Sequence, residues 1–216
     1  TTMNPLFVTK LGWAAGTILL EEGISRVLIG KDTRISGYML ESALQAGFIA
    51  SGMDVVLLGP LPTPGVSFLA NSNKQAGVVI SASHNLFEDN GIKFFNKDGQ
   101  KFSSELEKRI ETKLSQEIES VKSINLGKAT RMSDAQGRYI EFCKSNFQEL
   151  DLKGLSLLLD CAHGATYSVA PKVFEELGAT VKSIGVDPDG VNINKECGST
   201  NPEFIREEIL KGDYDL

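Results

Sequence analysis

Gly77-Val78-Val79-Ile80-Ser81-Ala82-Ser83-His84-Asn85, followed a few residues on by Asp89-Asn90-Gly91-Ile92-Lys93-Phe94-Phe95, is the stretch on which the reading of this chain turns. An apolar run rich in β-branched residues gives way abruptly to small and polar side chains. That is the pattern of a buried strand delivering a tight loop at its tip. The loop presents a hydroxyl (Ser83), an imidazole (His84) and an amide (Asn85) in succession, and Lys93 follows on a return strand. Only about ten residues separate the two strands, too few for a helical crossover, so the return strand is expected to be antiparallel at a sheet edge.

Upstream of this stretch, strands and helices alternate. Asn4-Pro5 supplies a cap and a first-turn proline for a helix running to about Leu20 and closing near Gly23. Arg26 to Gly30 reads as a short buried strand, Tyr38 to Ser51 as a helix stopped by Gly52, and Asp54 to Leu58 as a second strand. The loop Gly59-Pro60-Leu61-Pro62-Thr63-Pro64 is rigid, with Thr63 expected to cap a short helix. Downstream, Ser104 and Glu107 form a capping box for a charged helix to about Ser120, and a further helix is expected from Asp134 to Asn146. The alternation predicts an α/β chain whose mixed, mainly parallel sheets are flanked by helices.

Around Phe147 to Gly154 the pattern restarts, which predicts two consecutive α/β units: residues 1–149, carrying the serine loop, and residues 150–216. The second has strands at Leu155 to Asp160 and Thr180 to Ile184, with a helix at Ala165 to Leu177. A long loop follows from Gly185 to Thr200, and a last helix from Asn201-Pro202 to near Gly212. At Asp215-Leu216 a new strand begins, so this second unit is expected to be incomplete at its C-terminal end.

The composition is that of a soluble globular protein, and no apolar run approaches the ~20 residues of a membrane helix. The segment Thr1 to Pro5 lacks the basic start and apolar core of a signal peptide. The formal net charge is −6 with no basic stripe, so neither nucleic acid nor membrane is an expected partner, and an anionic substrate needs a locally basic pocket. Cys143, Cys161 and Cys197 have no C-x-x-C spacing, which argues against zinc and a disulfide framework and for reduced thiols in the cytoplasm.

In an open α/β sheet, ligands gather at the carboxyl ends of the parallel strands. Three loops are expected there: Lys31 to Arg34, the proline loop, and Ser81 to Asn85. A plain serine hydroxyl is a poor nucleophile without a base. Neighbours such as Ser83 and His84 normally point apart, and no G-x-S-x-G elbow is present, so a serine hydrolase is disfavoured. The same serine suits a phosphate carrier, since phosphoryl transfer is mostly positioning and charge neutralisation. Ser83, His84 and Lys93 are the candidate catalytic residues. Lys31, Arg34 and Asn85 are the candidate phosphate- or substrate-binding ones. Asp32 and Arg34 also suit an ion pair that braces their own loop, and the sequence leaves both roles open. His163 sits at an expected helix start, where capping is the favoured reading.

The order S-A-S-H-N, then N-G-I-K, resembles the phosphoserine loop of the α-D-phosphohexomutases. The resemblance extends over Leu11 to Gly16, Gly30 to Met39, Asp160 to Tyr167 and Gly190 to Gly198. It implies that Ser83 is phosphorylated, that its phosphate binds Mg²⁺, and that His84 and Lys93 assist proton transfer. The implied reaction passes through a sugar bisphosphate, and the nearest branch interconverts glucosamine 6-phosphate and glucosamine 1-phosphate. A branch acting on mannose or glucose phosphates and a non-catalytic sugar-phosphate module are the alternatives. The family's G-T-D-G-I-R-G loop is absent before Thr1 and its D-G-D-G-D-R metal loop is expected after Leu216, so these residues alone are expected to be inactive. Leu86 stands where the family usually has proline, and His163 where it usually has asparagine.

Overall fold

A computed structural model describes residues 3–147 and 149–216. Helix α1 (Pro5–Glu21) starts as the sequence dictates, with the Asn4 side chain accepting from Phe7 N at 2.9 Å and Pro5 in the first turn. Helix α1 lies against α2 (Ser36–Ser51), which is closed by Gly52 in the left-handed conformation. Glycines make that contact close: a Cβ on Gly12 would stand 2.6 Å from the carbonyl oxygen of Leu44.

Strand β1 (Arg26–Lys31) is the centre of a five-stranded sheet of order β4-β3-β1-β2-β5. It runs parallel to β2 (Asp54–Pro60) on one side and to β3 (Ala76–Ile80) on the other. Strand β4 (Ile92–Phe95) is antiparallel to β3 at the edge, as the short connection requires, with Ile80 opposite Ile92 and Val79 opposite Lys93. The β1–β2 register slips once, Ile29 facing Leu57 and Gly30 facing Gly59, so that Leu58 is an extra residue. The far edge, β5 (Ala129–Arg131), parallel to β2, has no counterpart in the sequence reading. Its three residues are all exposed, so it carries no hydrophobic pattern to be read.

Helices cover both faces of this sheet. Helices α1, α2 and α4 (Ser104–Leu114) enclose a core containing Val8, Leu19, Ile29, Leu44, Phe48 and Val78. Helices α3 (Thr63–Asn73) and α5 (Ala135–Ser145) enclose a second one containing Leu28, Leu61, Val66, Leu69 and Val79. Fully burying each such side chain contributes about 1.5–3 kcal/mol. A parallel central strand buried on both faces explains why β1 and β3 are continuously apolar instead of alternating.

The second sheet pairs β6 (Ser156–Asp160) with β7 (Thr180–Ile184) in parallel, joined through α6 (Ala170–Glu176), and α7 (Pro202–Ile209) follows. Asp215 N donates to Ser156 O and Leu158 N to Leu216 O, so the backbone at 215–216 runs along the free side of β6.

Several local expectations need correction. The α4 cap is Ser103, whose Oγ accepts from Leu106 N at 3.2 Å, and the helix ends at Leu114 instead of near Ser120. Thr63 is the first helical residue of α3, not its cap, and neither Pro62 nor Asn201 makes a side-chain capping bond. Helix α6 begins at Ala170, because residues 165–169 form turns before it. His163 is therefore not a helix cap: its Nδ1 accepts from Asp187 N at 3.2 Å, and its backbone is left-handed at φ 50°.

Candidate active site

The parallel strands β1, β2 and β3 end on one edge of the five-stranded sheet, and the three expected loops meet there. Asp32 N donates to Ile80 O and Leu61 N donates to Lys31 O, each at 3.0 Å, stitching the loop after β1 to both neighbours. Strand β3 then passes into the serine loop, while Ser81 N donates to Gly91 O at 2.9 Å and closes its base against the entry to β4.

Ser83 is exposed at the tip of that loop and adopts the left-handed region at φ 56°, uncommon for a residue with a Cβ. Such backbone costs about 1–3 kcal/mol and persists only where surrounding contacts over-determine it. Those contacts are present. Arg34 Nη2 donates to Ser83 O at 3.3 Å and to Asn85 O at 2.6 Å, and Arg34 Nε and Nη2 both reach Leu86 O at 3.4 Å. Asn194 Nδ2 donates to the first two of these carbonyls, at 3.0 and 2.8 Å. With its carbonyls held from below, the loop offers its side chains outward. The turn brings Ser83 Oγ and His84 Nδ1 to 3.5 Å, so these neighbours face each other, contrary to the expectation that they point apart.

The other candidates take distinct positions. Arg34 is 2% exposed and pairs with Asp32, also buried, so it is a brace beneath the serine and presents no guanidinium to solvent. Lys31 is 6% exposed; its Nζ lies 2.8 Å from Glu41 Oε2 and 4.0 Å from the centre of the Tyr38 ring. Among the described residues its ammonium makes no hydrogen bond or ion pair to the serine loop. The Asn85 side chain donates to Asp89 Oδ2 at 2.9 Å. Lys93 is half-buried on β4, one position beyond the Ile80–Ile92 pair from which the loop springs, and among the described residues its ammonium has no ion-pair partner.

Loops beside the second, two-stranded sheet supply the rest of the enclosure. Thr33 Oγ1 donates to His163 O at 2.5 Å, and Ile35 N to Gly190 O at 2.8 Å. Between them lies a cleft of about 260 Å³ whose lining includes both candidate cations, Lys31 and Arg34, with Thr33, Tyr38, Tyr167 and Asp189. A larger groove of about 580 Å³ between α1, β4 and α4 is mainly apolar and includes Lys93 but no residue of the serine loop. No group of three or more His, Cys, Asp or Glu side chains among the described residues is arranged to hold a metal ion. Mg²⁺ demands near-octahedral oxygen ligation, and a phosphate on Ser83 would supply oxygens of the kind it takes.

The profile described as "Phosphoglucomutase/phosphomannomutase, alpha/beta/alpha domain I" matches residues 1–121, which include both β3 and the serine loop. The chain belongs to the phosphoglucomutase/phosphomannomutase family. Among curated members, the "Phosphoglucosamine mutase" of Legionella pneumophila (strain Corby) is 57% identical over 218 residues, covering 100% of this chain and 48% of that protein. The protein of the same name from Pseudoalteromonas translucida is 56% identical, covering 99% of this chain and 48% of its own length. The chain therefore spans about half the length of the curated relatives it matches. A solved structure of a "putative phosphomannomutase" from Thermus thermophilus superposes with a TM-score of 0.82 at 26% identity, over 97% of this chain and 48% of that one.

Proposed function

We propose that this chain carries the phosphoserine of a mutase that interconverts glucosamine 6-phosphate and glucosamine 1-phosphate. The observation that carries the reading is Ser83 itself: an exposed hydroxyl at a strand end, held in left-handed backbone by donors that grip its loop's carbonyls. A rigidly aimed hydroxyl is what an in-line phosphoryl transfer needs. The choice of glucosamine over mannose or glucose rests on the 57% identity to phosphoglucosamine mutases, against 26% to the Thermus protein.

In the reaction, the bond between phosphorus and Ser83 Oγ breaks as a bond to a sugar hydroxyl oxygen forms. His84, with Nδ1 3.5 Å from Oγ, takes the hydroxyl proton and hands it to the departing serine oxygen, so no proton is gained or lost. The Lys93 ammonium offsets charge on the phosphoryl oxygens. Lys31 and Arg34, already paired with Glu41 and Asp32, act as framework and field instead of touching the phosphate. The resulting bisphosphate returns its other phosphoryl group to Ser83, in a pocket that must exclude water. The same reading assigns the enzyme to the cytoplasm and to the supply of amino sugar for cell-wall precursors, with Mg²⁺ as its cofactor.

Intact mass spectrometry and a glucosamine 1-phosphate assay on the full-length protein test this. Wild type should carry one phosphate, lost in Ser83→Ala together with mutase activity. Retained activity in Ser83→Ala overturns the reading. On the same reading, the 216-residue chain alone forms no glucosamine 1-phosphate even with Mg²⁺ and a bisphosphate activator, and turnover by it would place the chemistry within these residues.

A further inference from the structure

The serine loop follows β3, yet two of the six hydrogen bonds that Arg34 and Asn194 make to its carbonyls come from Asn194, beside the second sheet. We infer that Asn194 is a positioning residue that sets the aim of Ser83 by donating both hydrogens of its carboxamide to the Ser83 and Asn85 carbonyls. The inference rests on the reading of Ser83 as the phosphate carrier.

The geometry makes this more than a chance contact. The two N–H groups of one carboxamide match two carbonyls, at 3.0 and 2.8 Å, and Arg34 Nη2 meets the same pair from the first unit. Each carbonyl has two lone pairs, so each accepts one donor from each unit. Asn194 is itself prepared for the task. Its backbone is left-handed at φ 57°, a conformation in which asparagine is among the best tolerated residues. Its N–H donates to Ala162 O at 2.9 Å. Asp160, at the end of β6, then fixes both turns around it: Oδ1 accepts from Ala162 N at 2.8 Å and Oδ2 from Gly198 N at 2.6 Å. A continuous path of hydrogen bonds thus runs from the second sheet through Asp160, Ala162 and Asn194 to Ser83.

The consequence is a coupling between the two units and the reaction. When the second unit is seated, the carbonyls are held down and Ser83 is aimed. When it shifts, Ser83 loses part of its restraint and relaxes from the left-handed region. Transfer to sugar and loss to water should respond in opposite directions, since a loosely aimed phosphoserine is a poor in-line donor but remains open to hydrolysis.

Two substitutions in the full-length enzyme separate donation from bulk. Asn194→Asp keeps the shape but faces both carbonyls with oxygens. Asn194→Gly removes the side chain while tolerating the positive φ and letting water reach the carbonyls. The expected result is a kcat lowered about ten- to a hundredfold in Asn194→Asp and less in Asn194→Gly, from the loss of two hydrogen bonds and, in the former, added repulsion. KM should stay within about twofold, because the sugar is bound by other groups. The phosphoserine of Asn194→Asp should also hydrolyse faster than that of wild type, and thermal unfolding of each variant checks that it is folded. A kcat in Asn194→Asp equal to wild type, or a larger loss in Asn194→Gly than in Asn194→Asp, overturns the inference while leaving a phosphorylated Ser83 intact. A wild-type enzyme with no phosphate on Ser83 overturns the reading on which it rests, and the inference with it.

Discussion

The two halves of this chain solve the problem of stability differently. The first surrounds a five-stranded sheet with helices on both faces and fully buries Phe48, Leu19, Leu28, Ile29 and Leu44. The second has a two-stranded sheet, and neither α6 nor α7 contains a buried residue. Its organisation comes from loops pinned by polar groups: Asp160 on two backbone N–H groups, and Asp189 Oδ1 on the N–H groups of Val191 and Asn192. Ser83 belongs to the well-packed half, and its loop carbonyls also accept from Asn194 of the loosely packed one. A rigid sheet supplies position, and a softer neighbour supplies adjustment.

The largest expected effect falls on the brace. Arg34→Met leaves the Asp32 carboxylate buried without its partner and strips donors from three loop carbonyls. A destabilisation of about 3–5 kcal/mol follows, measurable by urea unfolding of the protein. A loss below about 1 kcal/mol would show that the pair is not structural and would reopen a phosphate-binding role for Arg34.

Lys93→Ala should separate chemistry from packing in that same half. With no ion pair among the described residues and a place on an edge strand, Lys93 should contribute little to folding. Its removal should lower kcat about 10²–10³-fold, the scale of one lost transition-state donor, with an unchanged unfolding midpoint. Unaltered turnover would reduce Lys93 to a strand residue.

Leu158→Ala tests the weaker half. Leu158 is buried on β6, and its truncation should cost about 2 kcal/mol, at the low end for leucine because the thin surroundings can collapse. Hydrogen exchange should speed up in β6 and β7 while β1 and β3 stay protected. Uniform loss of protection would mean that the two halves unfold as one.

The smallest effect concerns pH. Burial, with a further contribution from the Asp160 charge, pushes the Cys197 thiol from its ordinary 9.0 up to about 11, and burial raises Cys161 in the same direction. The folded thiol holds its proton more tightly than the unfolded one. Its contribution is complete below pH 9 and is lost as pH rises toward 11. Cys197→Ala should flatten the fall in second-unit stability over that interval, and an unchanged slope would assign it to other groups.

What could be read in the sequence follows the range of the interactions involved. The strands β1 to β4 were legible because buried β-branched runs end at glycine, proline or polar residues, and the antiparallel β4 followed from a connection too short to cross over. The placement of Ser83, His84 and Lys93 on one strand-loop-strand was legible because they lie close together in sequence. Strand β5 was not, since three exposed residues carry no periodicity. Asn194 was not, since its partners at Ser83 and Asn85 lie 111 and 109 residues away and its neighbours show only a turn-rich loop. The cap and end of α4 were missed because adjacent serines at 103 and 104 are equivalent to pattern reading, and only backbone geometry chooses between them.

The slip at Leu58 bears on how this edge tolerates change. A strand is a two-beat code, and one surplus residue reverses the beat for everything after it. Gly59, Pro60 and Leu61 are in phase with their surroundings only because Leu58 is surplus: Leu61 reaches the core, fully buried, while its N–H meets Lys31 O. Exchanging letters here alters packing locally. Deleting one letter would turn Leu61 outward and unhook the loop after β1 from its neighbour. At this rim of the sheet length is protected along with spelling, for Gly59 stands at φ 73° and Leu58 and Leu61 are both buried.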